Sequence, residues 1–180
     1  MRTTLQNADN VTEAASMVGI ANESVATIKS NLEEMQAIIE SITTTPTAAQ
    51  TSTYNALKDQ IVSLISQTEY NGITLLDGDN WGTEQIDTNG NVYIQAYKNG
   101  GFNVNFQDVE ALNFGQLTSA NLNNATNRAT ELSRVTNKLG SITIINDIYT
   151  NRQSGLEYQA ENLKGQSALL AQAVEARRQQ

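Results

Sequence analysis

Asp77, Asp79 and Gly82 stand at the spacing of the first, third and sixth positions of a calcium-binding loop. The fifth position is Trp81 and the twelfth is Thr88, so the bidentate Glu that closes an EF-hand is missing, and a turn built on its own carboxylates is the better reading. Asp87-Thr88-Asn89-Gly90-Asn91 has the same oxygen-rich character and reads as a turn before a strand. The pairs Glu33/Glu34 and Asp59/Glu69 offer carboxylates for acid/base work. They fall on amphipathic helical patterns, where charges form the solvated face, and nothing around them supplies a pocket. The chain has no His and no Cys, which excludes imidazole catalysis, thiol nucleophiles, the usual haem and zinc ligands, and disulfides. No enzymatic activity, cofactor or metal is expected. Trp81 is expected to pack against the protein rather than to stack on a ligand.

With 19 acidic and 11 basic residues the net charge is -8, and Arg177-Arg178 is the only adjacent basic pair, so neither nucleic acid nor a polybasic membrane anchor is expected. Met1 to Ile20 carries Asp9 and Glu13 and no continuous apolar stretch, and no segment approaches the roughly 18 apolar residues of a membrane span. Export, if it occurs, is expected without a cleaved signal peptide. Asn10-Val11-Thr12, Asn22-Glu23-Ser24 and Asn124-Ala125-Thr126 fit the glycosylation sequon but fall in predicted helices and read as accidental. Aromatic residues make up 6% and Pro occurs once, which favours a slender helical architecture over a thick core.

The elements that would position these residues are written in the periodicity. Val11, Val18, Val25, Leu32 and Ile39 form one seven-residue series and Ala14, Ala21, Ile28, Met35 and Ile42 the other, predicting a first helix over about 3–43. Pro46, with Thr45 as the expected N-cap, opens a second helix over about 46–68, an antiparallel partner carrying Tyr54, Leu57, Ile61 and Leu64. Asn-Gly and Asp-Gly pairs then crowd residues 70–106. They predict a turn-rich segment with a short strand at Ile73 to Leu76 and a hairpin over 91–106, with Val92, Ile94 and Ala96 facing Phe102, Val104 and Phe106 around Asn99-Gly100. After a connector at 107–118, Ser119 is the expected cap of a helix over about 119–180. Its seam runs through Val135, Ile142, Tyr149, Leu156, Leu163 and Leu170 beside Leu132, Leu139, Asn146, Gln153, Ala160, Ser167 and Val174. At 1.5 Å per residue that helix is about 90 Å long and outlasts its partners, leaving apolar seam for another chain or segment. The fold class is mainly α: an elongated antiparallel helical bundle or coiled-coil rod with one β-hairpin excursion, in a single domain over 1–180.

This order of elements, with Gln67-Thr68-Glu69-Tyr70-Asn71-Gly72-Ile73-Thr74-Leu75-Leu76-Asp77-Gly78 at the junction of second helix and hairpin, resembles bacterial flagellin. That stretch is similar to the family signature TxFNGxxLLxG with Tyr70 in place of Phe, so Thr68, Tyr70, Asn71, Gly72, Leu75, Leu76 and Gly78 are its signature residues here. Leu5-Gln6-Asn7-Ala8 and Asn31-Leu32-Glu33-Glu34-Met35 resemble the first rod helix, and Lys138-Leu139-Gly140-Ser141 resembles a step early in the last one. The resemblance extends over essentially the whole chain. The family's first helix, before Leu5, and its C-terminal polymerising helix have no counterpart here, so the resemblance implies the rod domain of a minimal flagellin without its terminal helices.

What the resemblance implies is a structural subunit of the flagellar filament, outside the cell, whose partners are other copies of itself, export chaperones and an innate-immune receptor. A hook-filament junction protein shares the rod architecture, although Leu75-Leu76-Asp77-Gly78 favours flagellin; a secreted coiled-coil interaction protein or adhesin is the rival from another class. The positions through which many flagellins meet a Toll-like receptor correspond to Glu34 and Ile38 on the first helix and, for a carboxylate on the second, to Asp59 or Gln60. With Glu34 where the family carries Arg, binding to that receptor is expected to be weak.

Overall fold

In the computed structural model, which describes residues 2–179, the two seven-residue series of the first helix are the centre of the core. From Val11 to Ile42 every member of both series is buried, all on α1 (Arg2–Ser41) except Ile42 just past its end. Their partner is α3 (Ala125–Arg178), 54 residues and about 80 Å long at 1.5 Å per residue. The two run antiparallel, as Gln36 Nε2 donating to Thr136 Oγ1 (3.2 Å) and Asn146 Nδ2 donating to Asn22 Oδ1 (2.7 Å) establish. Asn22 Nδ2 also donates to Thr150 Oγ1 at 3.0 Å, so the seam contains one polar layer whose groups satisfy each other and fix the register. Val135, Ile142, Tyr149, Leu156 and Ala160 are buried in the seam, and beyond Ser167 every described residue of α3 is exposed. The expected helix end at Gln180 lies outside the described residues.

α2 (Ala48–Gln67) packs against α1 through Tyr54, Leu57, Ile61 and Ile65. Its cap is Thr47 and not Thr45. The Thr47 hydroxyl accepts from Gln50 N while the Gln50 side chain accepts from Thr47 N, a reciprocal capping box that Thr45 cannot form because Ala48 stands three residues after it. Gln50 Nε2 also donates to Ser41 Oγ at 3.0 Å, tying the new helix to the end of α1.

The start of the long helix differs from expectation in a similar way. Ser119–Asn123 is a 3-10 turn opened by Thr118, whose hydroxyl accepts from Ala120 N, and the α-helix begins only at Ala125, capped by Asn124 accepting from Asn127 N at 2.8 Å. Thr118 N and Asn121 Nδ2 both donate to the Glu131 carboxylate, which holds this segment across α3 instead of in line with it.

Strands β1 (Glu69–Tyr70) and β2 (Ile73–Thr74) form a small antiparallel ladder, and β3 (Asn91–Tyr97) pairs with β4 (Gly100–Asn105) with Val92 opposite Val104 and Ile94 opposite Phe102. The inward residues Val92, Ile94, Ala96, Val104 and Phe106 are buried, as their alternation requires. Three contacts dock the hairpin on the rod. Asn10 Nδ2 donates to Gln95 O (3.2 Å), Arg152 donates to Asn105 O, and Gln107 N donates to the Tyr149 hydroxyl (2.6 Å). Among the described residues no helix is long and apolar enough to cross a membrane.

Candidate functional site

The signature stretch from Thr68 to Gly78 has a stereochemical reason at most of its positions. Thr68 caps the end of α2: its backbone N and its hydroxyl both donate to Leu64 O (2.9 and 2.6 Å), and the hydroxyl also lies 2.7 Å from Ser24 Oγ on α1. Tyr70 donates its phenol to Glu13 Oε1 at 3.0 Å; partial burial first, then this contact, raises its pKa. Asn71 and Gly72 have φ of 49° and 81°, the left-handed pair that a tight two-residue hairpin turn requires. Leu75 and Leu76 are fully buried, and Leu75 N returns to Thr68 O at 3.0 Å. At Gly78 a Cβ would stand 2.4 Å from the Asp108 carboxyl carbon, and its amide donates to Asp108 Oδ1 at 2.8 Å. The stretch is thus a joint that turns the chain out of the helices and locks the excursion back on them.

Glu34 is exposed on α1 and Ile38, one turn further, is half-buried, while Asp59 and Gln60 are exposed on α2. Asn31, one turn before Glu34, is buried and donates its amide to Gln60 Oε1 (3.1 Å) and to Leu57 O (3.3 Å). Gln60 is thereby fixed beside the turn of α1 that leads to Glu34. Asp59 forms an exposed ion pair with its neighbour Lys58 at 3.5 Å.

Asp77 and Asp79 are joined by Glu110, whose place beside them is set by the fold and not by local spacing; one carboxylate oxygen of each lies within 4.8 Å of the others. Desolvation first, then the charges of Asp79, Asp108 and Asp77, raise the Glu110 pKa. The Asp77 oxygens already accept from Asp79 N (3.1 Å) and Asn80 Nδ2 (3.0 Å), so this carboxylate is the cap of its own turn. Asp87 does the same for the next turn. It accepts from Asn89 N and Asn91 N, both at 2.9 Å, and these bonds, Asn91's first, lower its pKa. Trp81 is half-buried and donates Nε1–H to Thr74 O at 2.8 Å, packed as expected. Of the sequons, Asn10 and Asn22 are spent on Gln95 O, Asn146 and Thr150, and Asn124 is a helix cap.

The most buried carboxylate is one that periodicity did not single out. Glu131 is wholly inaccessible on α3, yet its carboxylate accepts from the Tyr54 hydroxyl of α2, from Thr118 N (3.0 Å) and from Asn121 Nδ2 (3.0 Å), with Arg134 at 3.7 Å. Burial and then the bond to Glu131 push the Tyr54 phenol far above its usual range. The readable signal was its place four residues before Val135 on the seam face; the three donors lie too far off in sequence to be foreseen. Among the described residues every buried polar side-chain atom has a hydrogen-bond partner, so this cluster is a satisfied structural network with no free group aimed at a substrate.

No family model matches the chain, and no curated protein matches it in sequence. The crystal structure of Bacillus cereus flagellin superposes with a TM-score of 0.68 at 20% sequence identity, covering 94% of this chain and 94% of that one. The chain therefore has a flagellin-like fold, mainly α with its short antiparallel hairpins on a helical rod.

Proposed function

We propose that the chain is a structural subunit of a flagellar filament, outside the bacterial cell, assembling with copies of itself and catalysing nothing. The observation that carries this reading is the flagellin-like fold over 94% of both chains, in which a long two-helix seam is the core and the sequence signature forms the joint. A chain without His or Cys, whose buried carboxylate is consumed by structural donors, suits a geometric role. The signature positions from Thr68 to Gly78 act here as the joint that sets the hairpin on the rod.

A junction protein remains the rival within the same architecture, and one preparation separates the two. Surface filaments sheared from the source cells and resolved by mass spectrometry should contain this chain as a major component whose amount grows with filament length. A small amount independent of length would assign it to the junction, and its absence from sheared material would overturn both readings.

For the receptor-facing positions the proposal is that Glu34, with Ile38, Asp59 and Gln60 around it, makes a poor ligand for a Toll-like receptor. An exposed carboxylate stands where a guanidinium would donate several hydrogen bonds. A receptor reporter assay should give weak activation by the unmodified chain and a gain with Glu34→Arg; strong activation by the unmodified chain would contradict it.

A further inference from the structure

Asn71-Gly72, Asn89-Gly90 and Asn99-Gly100 each set an asparagine carboxamide beside a glycine amide that no Cβ shields. That pairing is the one from which a five-membered succinimide forms, and by sequence the three are equivalent. The structure makes them unequal. Gly90 is locked: its N donates to Asp87 O at 3.1 Å, its O accepts from Phe106 N at 2.7 Å, and a Cβ there would stand 2.3 Å from Phe106 O. Gly100 is already paired with Tyr97 in the β3–β4 ladder, with the Tyr97 ring 2.7 Å from where its Cβ would be. At Asn71-Gly72 the ladder closes on Tyr70 and Ile73, so both residues are the turn itself and both are exposed. The Gly72 amide donates to nothing among the described residues, and no atom lies within 4 Å of where its Cβ would be.

We propose that Asn71 is a site of spontaneous modification, deamidated through a succinimide, and that its product loosens the joint between α2 and the hairpin. The inference goes beyond the filament reading and does not need it. Gly72 N attacks Asn71 Cγ; the N–Cγ bond forms, the Cγ–Nδ2 bond breaks, and Nδ2 leaves as ammonia with the proton that Gly72 N gives up. Water then opens the ring. Addition at Cγ gives aspartate, and addition at the main-chain carbonyl gives iso-aspartate, in which the chain runs on through Cγ; nothing is oxidised or reduced. Attack requires the turn to leave its left-handed pair of φ 49° and 81°, and only two residue pairs hold that turn, against six in the β3–β4 ladder.

Either product puts a new carboxylate on a groove that Glu13 and Glu84 already line, beside the Tyr70 phenol that donates to Glu13. The iso form also adds one methylene to the main chain at a turn whose two residues fix the register of the ladder.

The test is to hold the chain for weeks in mildly alkaline buffer, folded and, in parallel, unfolded in guanidinium chloride. Peptides are then mapped by electron-transfer fragmentation, which separates iso-aspartate from aspartate. Unfolded, the three asparagines should react at similar rates. Folded, Asn71 should react about tenfold faster than Asn89 or Asn99, roughly the factor that one backbone hydrogen bond supplies. Asn89 or Asn99 reacting ahead of Asn71, or all three protected alike, would overturn the site. The iso form, separated by ion exchange, should then exchange its Leu75 amide, which donates to Thr68 O, about tenfold faster than the fresh chain, with the Phe106 amide unchanged. Asn71→Asp carries the charge without the methylene and should exchange like the fresh chain. An iso form that exchanges no faster than the fresh chain, or an Asn71→Asp variant that exchanges as fast as the iso form, would overturn the loosening by a lengthened turn.

Discussion

At the end of the rod where α1 stops and α2 and α3 begin, Glu131 gathers donors from α2, the 118–121 segment and its own helix, and Arg128 Nη1 donates to Thr44 O and Leu122 O. At the opposite end α3 continues past Ser167 with Leu169, Leu170 and Val174 exposed and no side chain of the described residues laid across them. The first end is closed by polar groups that satisfy one another only when all the pieces are present. The second is left apolar and open. On the filament reading the rod needs both arrangements, because a buried polar network gives a unique fold while an uncovered apolar surface would give an assembly its contacts.

The largest effect should come from opening the closed end. Glu131→Ala leaves the Tyr54 hydroxyl, Thr118 N and Asn121 Nδ2 buried or half-buried without their acceptor, and should destabilise the fold by about 3–5 kcal/mol in urea titration. A loss under about 1 kcal/mol would show that the network is ornamental to stability. Tyr54→Phe removes one donor to a charged acceptor and keeps the ring, so a loss of about 2 kcal/mol is expected by the same measurement.

The next effect is a pH dependence. Tyr149, on α3 and buried beneath Phe106 and the end of the hairpin, has its pKa pushed up to about 12, chiefly by burial, and Tyr54 moves in the same direction. Both are held as neutral phenols in the folded state while the unfolded chain ionises near the ordinary value of 10. Their contribution is therefore fully present below pH 10 and is lost as pH rises through the folded values. Melting temperature should fall steeply between pH 10 and pH 12, and Tyr149→Phe should make the fall shallower. A flat profile over that range would contradict the burial of these hydroxyls.

The smallest effect belongs to the open end. Leu170→Gln on the overhang should change stability by no more than about 0.5 kcal/mol in the monomer, because the side chain is exposed and has little packing to lose. A larger loss would mean that the overhang is covered within the chain.

How much of this was legible follows the range of the interactions. The seams of α1 and α3 are local repeats, and their burial from Val11 to Ile42 and from Val135 to Ala160 follows the seven-residue spacing directly. The hairpin and its buried face followed from alternation, although its turn falls on Lys98-Asn99 instead of Asn99-Gly100, with Gly100 already paired to Tyr97 and the register shifted between Gln95 and Tyr97. What could not be read depends on residues distant in sequence. Ser119 looks like a helix cap until Thr118 and Asn121 are seen bound to Glu131, and Thr45 looks like one until Gln50 closes its box on Thr47. Glu110 joins Asp77 and Asp79 only because its amide is held by Leu76 O at 3.0 Å. The glycines of α3 were readable as weak points of a helix; that Gly140, Gly155 and Gly165 have nothing within 4 Å of where a Cβ would stand required the fold.

The central claim, that this chain is built into a filament outside the cell, is tested most directly by immunogold electron microscopy of intact source cells with antibody raised against residues 2–179. The account predicts gold along the whole length of surface filaments and none on cells from which the gene has been deleted. Gold confined to the cell interior, beside filaments that remain unlabelled, would contradict it.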